Sequence, residues 1–198
     1  MVVGLTGGIG SGKSTVAKLF QKTGNIALYN ADVEAKKLMN NSEELRSKII
    51  EEYGIQAYTN GELNTGFLAG IVFHNSEKLA TLNSLVHPVV YKDLNRFIEI
   101  QQSVDFVLYE NAILFENSSD SFCDVVITVV APVEVRLSRV MKRDAVSKES
   151  VLARINKQWN DEKKILQSNY IIHNVDLQSV EEKIKKIHKK LTKYPLLN

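Results

Sequence analysis

Residues Gly7 to Thr15 read GGIGSGKST and follow the apolar run Val2, Val3, Gly4 and Leu5. The stretch places Gly7, Gly12, Lys13 and Ser14 at the spacing GxxxxGK[ST], the pattern of a phosphate-binding loop. Each residue type has a reason to be there. Glycines let backbone N–H groups turn inward on a β-phosphate with no Cβ in the way, and the helix that follows adds its positive N-terminal end. Lys13 is placed to bridge the β- and γ-phosphates, and the Ser14 hydroxyl to ligate Mg²⁺. The candidate ATP contacts along the loop are Gly8, Gly10, Ser11, Gly12, Lys13, Ser14 and Thr15. Beyond it Val16, Leu19 and Phe20 share a helical face, and Gly24 is expected to cap that helix.

Working outward, four more β-like runs stand at Ile26 to Tyr29, Phe106 to Leu108, Val125 to Val130 and Tyr170 to Ile172, with helical patterns between them. Short apolar strands alternating with helices predict an α/β three-layer P-loop NTPase fold, in which a five-stranded parallel sheet is covered on both faces. Ligands then sit at the carboxyl ends of the strands. The expected core is 1–30, 104–132 and 160–198. Residues 31–103 are too many for a simple crossover and read as a helical insertion suited to a second substrate. Its expected helices carry Ala35, Leu38 and Met39; then run from Ser42 to Gly54; then, after a turn at Asn60-Gly61, cover Phe67 to Phe73 and Leu79 to Val86; a last one is begun by Pro88.

After the fourth run Pro132 opens a helix with Arg136, Arg139 and Arg143 on one face, followed by Arg154 on another helix. Beside a phosphate loop such arginines are candidates for clamping ATP, and residues 133–159 are expected to form a lid. The last helix is expected from Ser179, with Glu182 completing a capping box and Val180, Ile184, Ile187 and Leu191 forming an apolar stripe. Its lysines, Lys183 to Lys193, read as the wet face.

Composition narrows the classes. The chain has 198 residues and a net charge of +2, enough for one domain with an insertion, and gives no case for nucleic acid or a membrane as partner. A lone cysteine, Cys123, excludes an internal disulfide framework, and His74, His87, His173 and His188 are too scattered for a zinc pattern. The start of the chain lacks a signal-peptide pattern, and a soluble cytoplasmic protein is expected.

Phosphoryl transfer needs a group that positions and deprotonates the acceptor. Asp32 is the leading candidate, just past the carboxyl end of the second strand. Glu110, just after the third strand, stands where an acid would order Mg²⁺ or its waters. A GTPase switch is disfavoured, because no aspartate has a glycine three places on and NKQW at Asn156 to Trp159 lacks the aspartate of a guanine-reading NKxD.

Taken together, TGGIGSGKST at Thr6 to Thr15, NAD at Asn30 to Asp32, LNSLVHP at Leu82 to Pro88, ILFE at Ile113 to Glu116, RLSRVMKRD at Arg136 to Asp144 and RINKQ at Arg154 to Gln158 resemble the dephospho-CoA kinase family, in order over nearly the whole chain. The resemblance implies ATP-dependent phosphorylation of the ribose 3′-hydroxyl of dephospho-coenzyme A, the last step of coenzyme A synthesis. On that resemblance Asp32 matches the catalytic aspartate and the Arg139 and Arg143 region the lid, on the ATP side with Lys13; Mg²⁺ is the expected cofactor, and Lys36, His87 and Glu110 are the candidate substrate-side residues, with His87, on the family's His-Pro motif, equally a structural histidine at a helix start. The sequence departs from the family in Asn30 for Asp, Lys36 for Arg and Ala112 for Pro. Asn30 cannot act as a base, so Asp32 must carry that role alone, and Lys36 keeps charge without a bidentate fork. The alternative is a P-loop kinase for another small acceptor, such as a nucleoside monophosphate.

Overall fold

A computed structural model describes residues 1–73 and 75–193; His74, one of the four histidines, and residues 194–198, the end of the expected core, lie outside the described residues. The chain divides into two compact units, one made of Met1–Asn30 with the residues from Gln101 onward, the other of Ala31–Ile100. The first unit begins with β1 (Val2–Thr6), α1 (Lys13–Gln21) and β2 (Ile26–Asn30). The second comprises α2 (Ala31–Asn41), α3 (Glu43–Tyr53), the short strands β3 (Tyr58–Thr59) and β4 (Glu62–Leu63), α4 (Thr65–Val72) and α5 (Ser76–Glu99). The first then resumes with β5 (Phe106–Glu110), β6 (Val125–Val130), α6 (Val133–Asp144), α7 (Lys148–Asn156), α8 (Asp161–Leu166), β7 (Tyr170–His173) and α9 (Leu177–Lys193).

The five expected strands form one parallel sheet in the order β2-β5-β1-β6-β7. Strands covered on both faces read as unbroken apolar runs, and β1, β5 and β6 are buried at every position. Val3, Leu5, Phe106, Leu108 and Ile127 pack on one face against Val16 and Phe20 of α1 and Val180, Ile184, Ile187 and Leu191 of α9. Alternation turns Gly4 to the other face, where an added Cβ would press to 2.8 Å from Cys123 Sγ and 3.0 Å from Leu114. Burial, with Asp120 and Asp124 adding to it, pushes the Cys123 thiol up to about 12, so it stays protonated and packs as a small apolar group.

Two helix ends differ from expectation. α1 stops at Gln21 with Lys22 as its cap, in right-handed backbone. Gly24 lies beyond the cap, where an added Cβ would meet the Asp105 carboxylate and the His188 ring and make them shift. α9 begins before Ser179: the Asp176 carboxylate accepts the Ser179 N–H at 2.8 Å and the Asp176 carbonyl accepts from Val180 N. Asp176 is the cap, and there is no box with Glu182.

In the second unit the expected caps of α3 hold: Ser42 accepts from Leu45 N, and Gly54 ends the helix at φ 85°. Asn60 and Gly61, at φ 52° and 86°, make the two-residue hairpin joining β3 to β4. Pro88 corrects the sequence reading. It does not begin a helix but lies inside α5, which runs for 24 residues and merges two expected segments. A proline forfeits one hydrogen bond to the preceding turn. Here Val86, Val90 and Leu94 form one buried stripe across it, so packing on both sides carries the helix through. His87 is therefore mid-helix.

The Asp176 carboxyl is held below the usual carboxylate range, first by the Ser179 hydroxyl and then by the Ser179 N–H. A group whose pKa is depressed by folding stabilises above its unfolded pKa and loses that contribution as pH falls through the folded value. Thermal melts should show a lower Tm for Asp176→Ala at neutral pH, a deficit that closes in acid, and little change for Glu182→Ala. A larger loss in Glu182→Ala would restore the capping box.

Candidate active site

β1 hands over to the phosphate loop at Thr6, at the carboxyl edge of the sheet. Gly12 is the N-cap of α1 in left-handed backbone, φ 91° and ψ 26°, and a Cβ there would collide with the Asn174 amide. At Gly8 a Cβ would strike the Arg136 guanidinium. α1 has no side-chain cap and no acid in its first turn, so its N-terminal N–H groups and positive dipole end suit an anion.

The loop is tied down from elements far along the chain. Arg136 Nε donates to the Ile9 carbonyl at 2.9 Å, and its Nη1 reaches both Asp161 oxygens at 3.1 and 3.2 Å. Gln158 accepts the Ile9 N–H at 2.8 Å, and Asn174 Nδ2 donates to the Ser11 carbonyl at 2.8 Å. Arg139 Nη2 in turn donates to the Asn174 carbonyl at 3.1 Å, and Lys13 Nζ to the Gly7 carbonyl at 2.8 Å. Arg136 is only 4% exposed, so of the three arginines expected on one face it is a buried brace of the loop.

Parallel register sets Asn30 beside Glu110. Asn30 Nδ2 donates to one Glu110 oxygen at 2.8 Å, and Ser14 Oγ donates to the other at 2.6 Å. At position 30 an asparagine can donate to this buried carboxylate, which an aspartate would repel. The Ser14 hydroxyl and Glu110 carboxylate are hard oxygen donors of the kind a small divalent cation takes. Among the described residues no cluster of three or more His, Cys, Asp or Glu side chains is arranged to hold a metal by itself.

Arg143 is exposed and pairs with Asp144 at 2.6 Å, while Arg154 reaches the other oxygen of the same carboxylate at 2.9 Å. That pairing, led by the Arg143 hydrogen bond, holds the Asp144 carboxyl below its usual range. In the second unit Asp32 opens α2, and with Lys36, Asn40 and Glu62 it lines a cavity of about 520 Å³ between α2 and the β3–β4 turn. His87 lies elsewhere in that unit, half-buried on α5, and burial holds its pKa below the imidazole range.

The fold and the loop define a P-loop kinase. A model of the dephospho-CoA kinase family matches residues 1–179. The chain is 37% identical to a dephospho-CoA kinase of Bacillus cereus over 177 residues, 88% of each chain, and 34% identical to that of Fusobacterium nucleatum over 96% of each. Among solved structures, a Thermus thermophilus protein superposes with a TM-score of 0.84 at 32% identity, over 97% of this chain and 98% of that one. Dephospho-CoA kinase from Campylobacter jejuni gives 0.69 at 25% identity over 97% of each. A shikimate kinase from Bacteroides thetaiotaomicron, at 15% identity and 0.55, shares the fold alone. The chain belongs to the dephospho-CoA kinase family.

One buried ion pair had no signature in the sequence. Lys164 is fully buried, and its ammonium donates to both Glu116 oxygens, at 2.8 and 3.0 Å, and to the Ala112 carbonyl at 3.1 Å. Glu116 also accepts the Trp159 N–H at 2.9 Å, and the Trp159 ring stacks on Phe115. The pair therefore pins the segment after α7 to the loop after β5. Lys164→Met should cost about 3–5 kcal/mol in denaturant melts by leaving Glu116 uncompensated, and Glu116→Gln with Lys164→Met should recover part of it. A single variant as stable as wild type would show that the pair holds nothing.

Proposed function

We propose that the protein transfers the γ-phosphoryl group of ATP to the ribose 3′-hydroxyl of dephospho-coenzyme A, giving coenzyme A and ADP. The observation that carries the reading is an intact phosphate loop with Ser14 set against Glu110, in a chain that the family model matches from residue 1 to 179. The names of the relatives supply the acceptor.

In this reading Gly8, Gly10, Ser11, Gly12 and Thr15 surround the phosphates of ATP and Lys13 offsets charge on the transferring group. Ser14 and Glu110 are the residues that would hold Mg²⁺, directly or through water, and the ion's contribution is to neutralise the β- and γ-phosphoryl oxygens. Asp32 takes the proton of the acceptor hydroxyl as its oxygen attacks the γ-phosphorus and ADP leaves. What supports Asp32 is its place in the chain, two residues after Asn30, which is bonded to Glu110. Lys36 is assigned to the charged part of the acceptor, on the wall it shares with Asp32, and His87, elsewhere in the same unit, to the acceptor side. Arg139 and Arg143 are assigned to the ATP side of a lid spanning residues 133–159, which excludes water during transfer. Arg143 would then exchange Asp144 for a phosphate, and Arg143→Ala should raise KM for ATP.

The test is kcat/KM for a panel of acceptors by coupled ADP release, with the phosphorylated position read by NMR. Dephospho-coenzyme A should be strongly preferred to nucleoside monophosphates, because its remote arm adds binding energy that orients the hydroxyl. Asp32→Asn should lose on the order of 10²- to 10⁴-fold in kcat with ATP binding retained. Equal activity on a monophosphate would overturn the acceptor, and an active Asp32→Asn would overturn the base.

A further inference from the structure

One charged face takes no part in this reaction. α9 carries six lysines against Glu181 and Glu182, four positive charges in excess, whereas the whole chain has only +2, so the remainder is net acidic. Lys183, Lys186, Lys189, Lys190 and Lys193 all line one cavity of about 350 Å³. None of these five meets a carboxylate among the described residues. Lysines in a last turn offset the negative end of a helix dipole, which accounts for Lys190 and Lys193. Lys183 and Lys186 lie one to two turns further back, beyond that effect. Like charges three and four apart destabilise a helix, so the cluster works against α9 unless an anion lies over it.

The rest of the cavity is apolar. Ile187 belongs to the core, and Tyr170 presents its ring, with Lys190 Nζ 5.9 Å from the centroid. Lysine stems extend that apolar wall while their ammonium groups ring it. The volume falls in the range of small-molecule sites. Its place in the fold separates it from the phosphate loop. Tyr170 is the first residue of β7 and α9 runs back from the strand's far end, so the cavity lies toward the amino ends of the strands, with the loop at their carboxyl ends.

We propose that this cavity is a second anion site, for a small organic polyphosphate whose phosphates meet the lysines and whose apolar or aromatic body lies on Tyr170. The full chain is titrated by calorimetry with ATP and with inorganic tripolyphosphate, alongside Lys186→Glu/Lys190→Glu and Tyr170→Ala. Wild type should take up two equivalents of ATP and the double variant one, with unchanged kcat/KM for phosphoryl transfer. Tyr170→Ala should weaken the second ATP about tenfold and leave tripolyphosphate unaffected, which assigns the organic body to the ring. One equivalent in wild type overturns the site, and equal loss of both probes in Tyr170→Ala overturns the organic ligand. A ten-nucleotide single strand that binds there more tightly than ATP would overturn the small ligand in favour of nucleic acid. The proposal is independent of the acceptor reading, because a wild type inactive on dephospho-coenzyme A would still be judged here by its ATP stoichiometry.

Discussion

A loop that offers its N–H groups to phosphates must turn carbonyls away from them into the protein, and each buried carbonyl left unpaired costs about 1–3 kcal/mol. The first unit is arranged around that constraint. The Ile9 carbonyl is satisfied by Arg136 of α6, that of Ser11 by Asn174 just after β7, and that of Gly7 by Lys13 of α1. Gln158, beyond α7, holds the Ile9 N–H. The conformation of a short loop near the start of the chain thus depends on side chains from its distant second half. It also explains two glycines, since Gly8 and Gly12 are the points where Arg136 and Asn174 come in against the backbone.

Glu110 plays the corresponding part on the other side of β1. Its two oxygens are taken by the Ser14 hydroxyl and the Asn30 amide, so one buried carboxylate links the start of α1 to the end of β2. Asn30 donates where an aspartate could not without a proton. Ala112 is used through its carbonyl, which Lys164 would find equally in a proline. Lys36 shares the cavity wall with Asp32.

The fold was legible because its signals are local. Five apolar runs became five strands, and the loop motif marked the carboxyl edge of the sheet. The failures have physical causes. Pro88 looked like a helix start because its ring suits a first turn, but the stripe of Val86, Val90 and Leu94 outweighed the lost hydrogen bond. Ser179 with Glu182 satisfied the capping pattern, yet Asp176 stood one turn ahead and captured the Ser179 N–H. Arg136, Arg139 and Arg143 share a helical face by spacing, but periodicity does not say how deep each lies, and Arg136 is buried where Arg143 is exposed. Gln158, Asn174 and the Lys164–Glu116 pair act across long sequence separations, which no local pattern records. Among the described residues no helix is long and apolar enough to cross a membrane.

The phosphate loop is held in shape by Arg136, Gln158 and Asn174, none of which is assigned a phosphate contact. Calorimetric ATP affinity of Asn174→Ala, in a variant whose far-UV circular dichroism matches wild type, tests this most directly. Loss of the Ser11 tie should weaken ATP about tenfold or more, the equivalent of roughly 1.4 kcal/mol. Unchanged affinity in the folded variant would mean that the loop keeps its conformation without the Asn174 tie, against the role given to these braces.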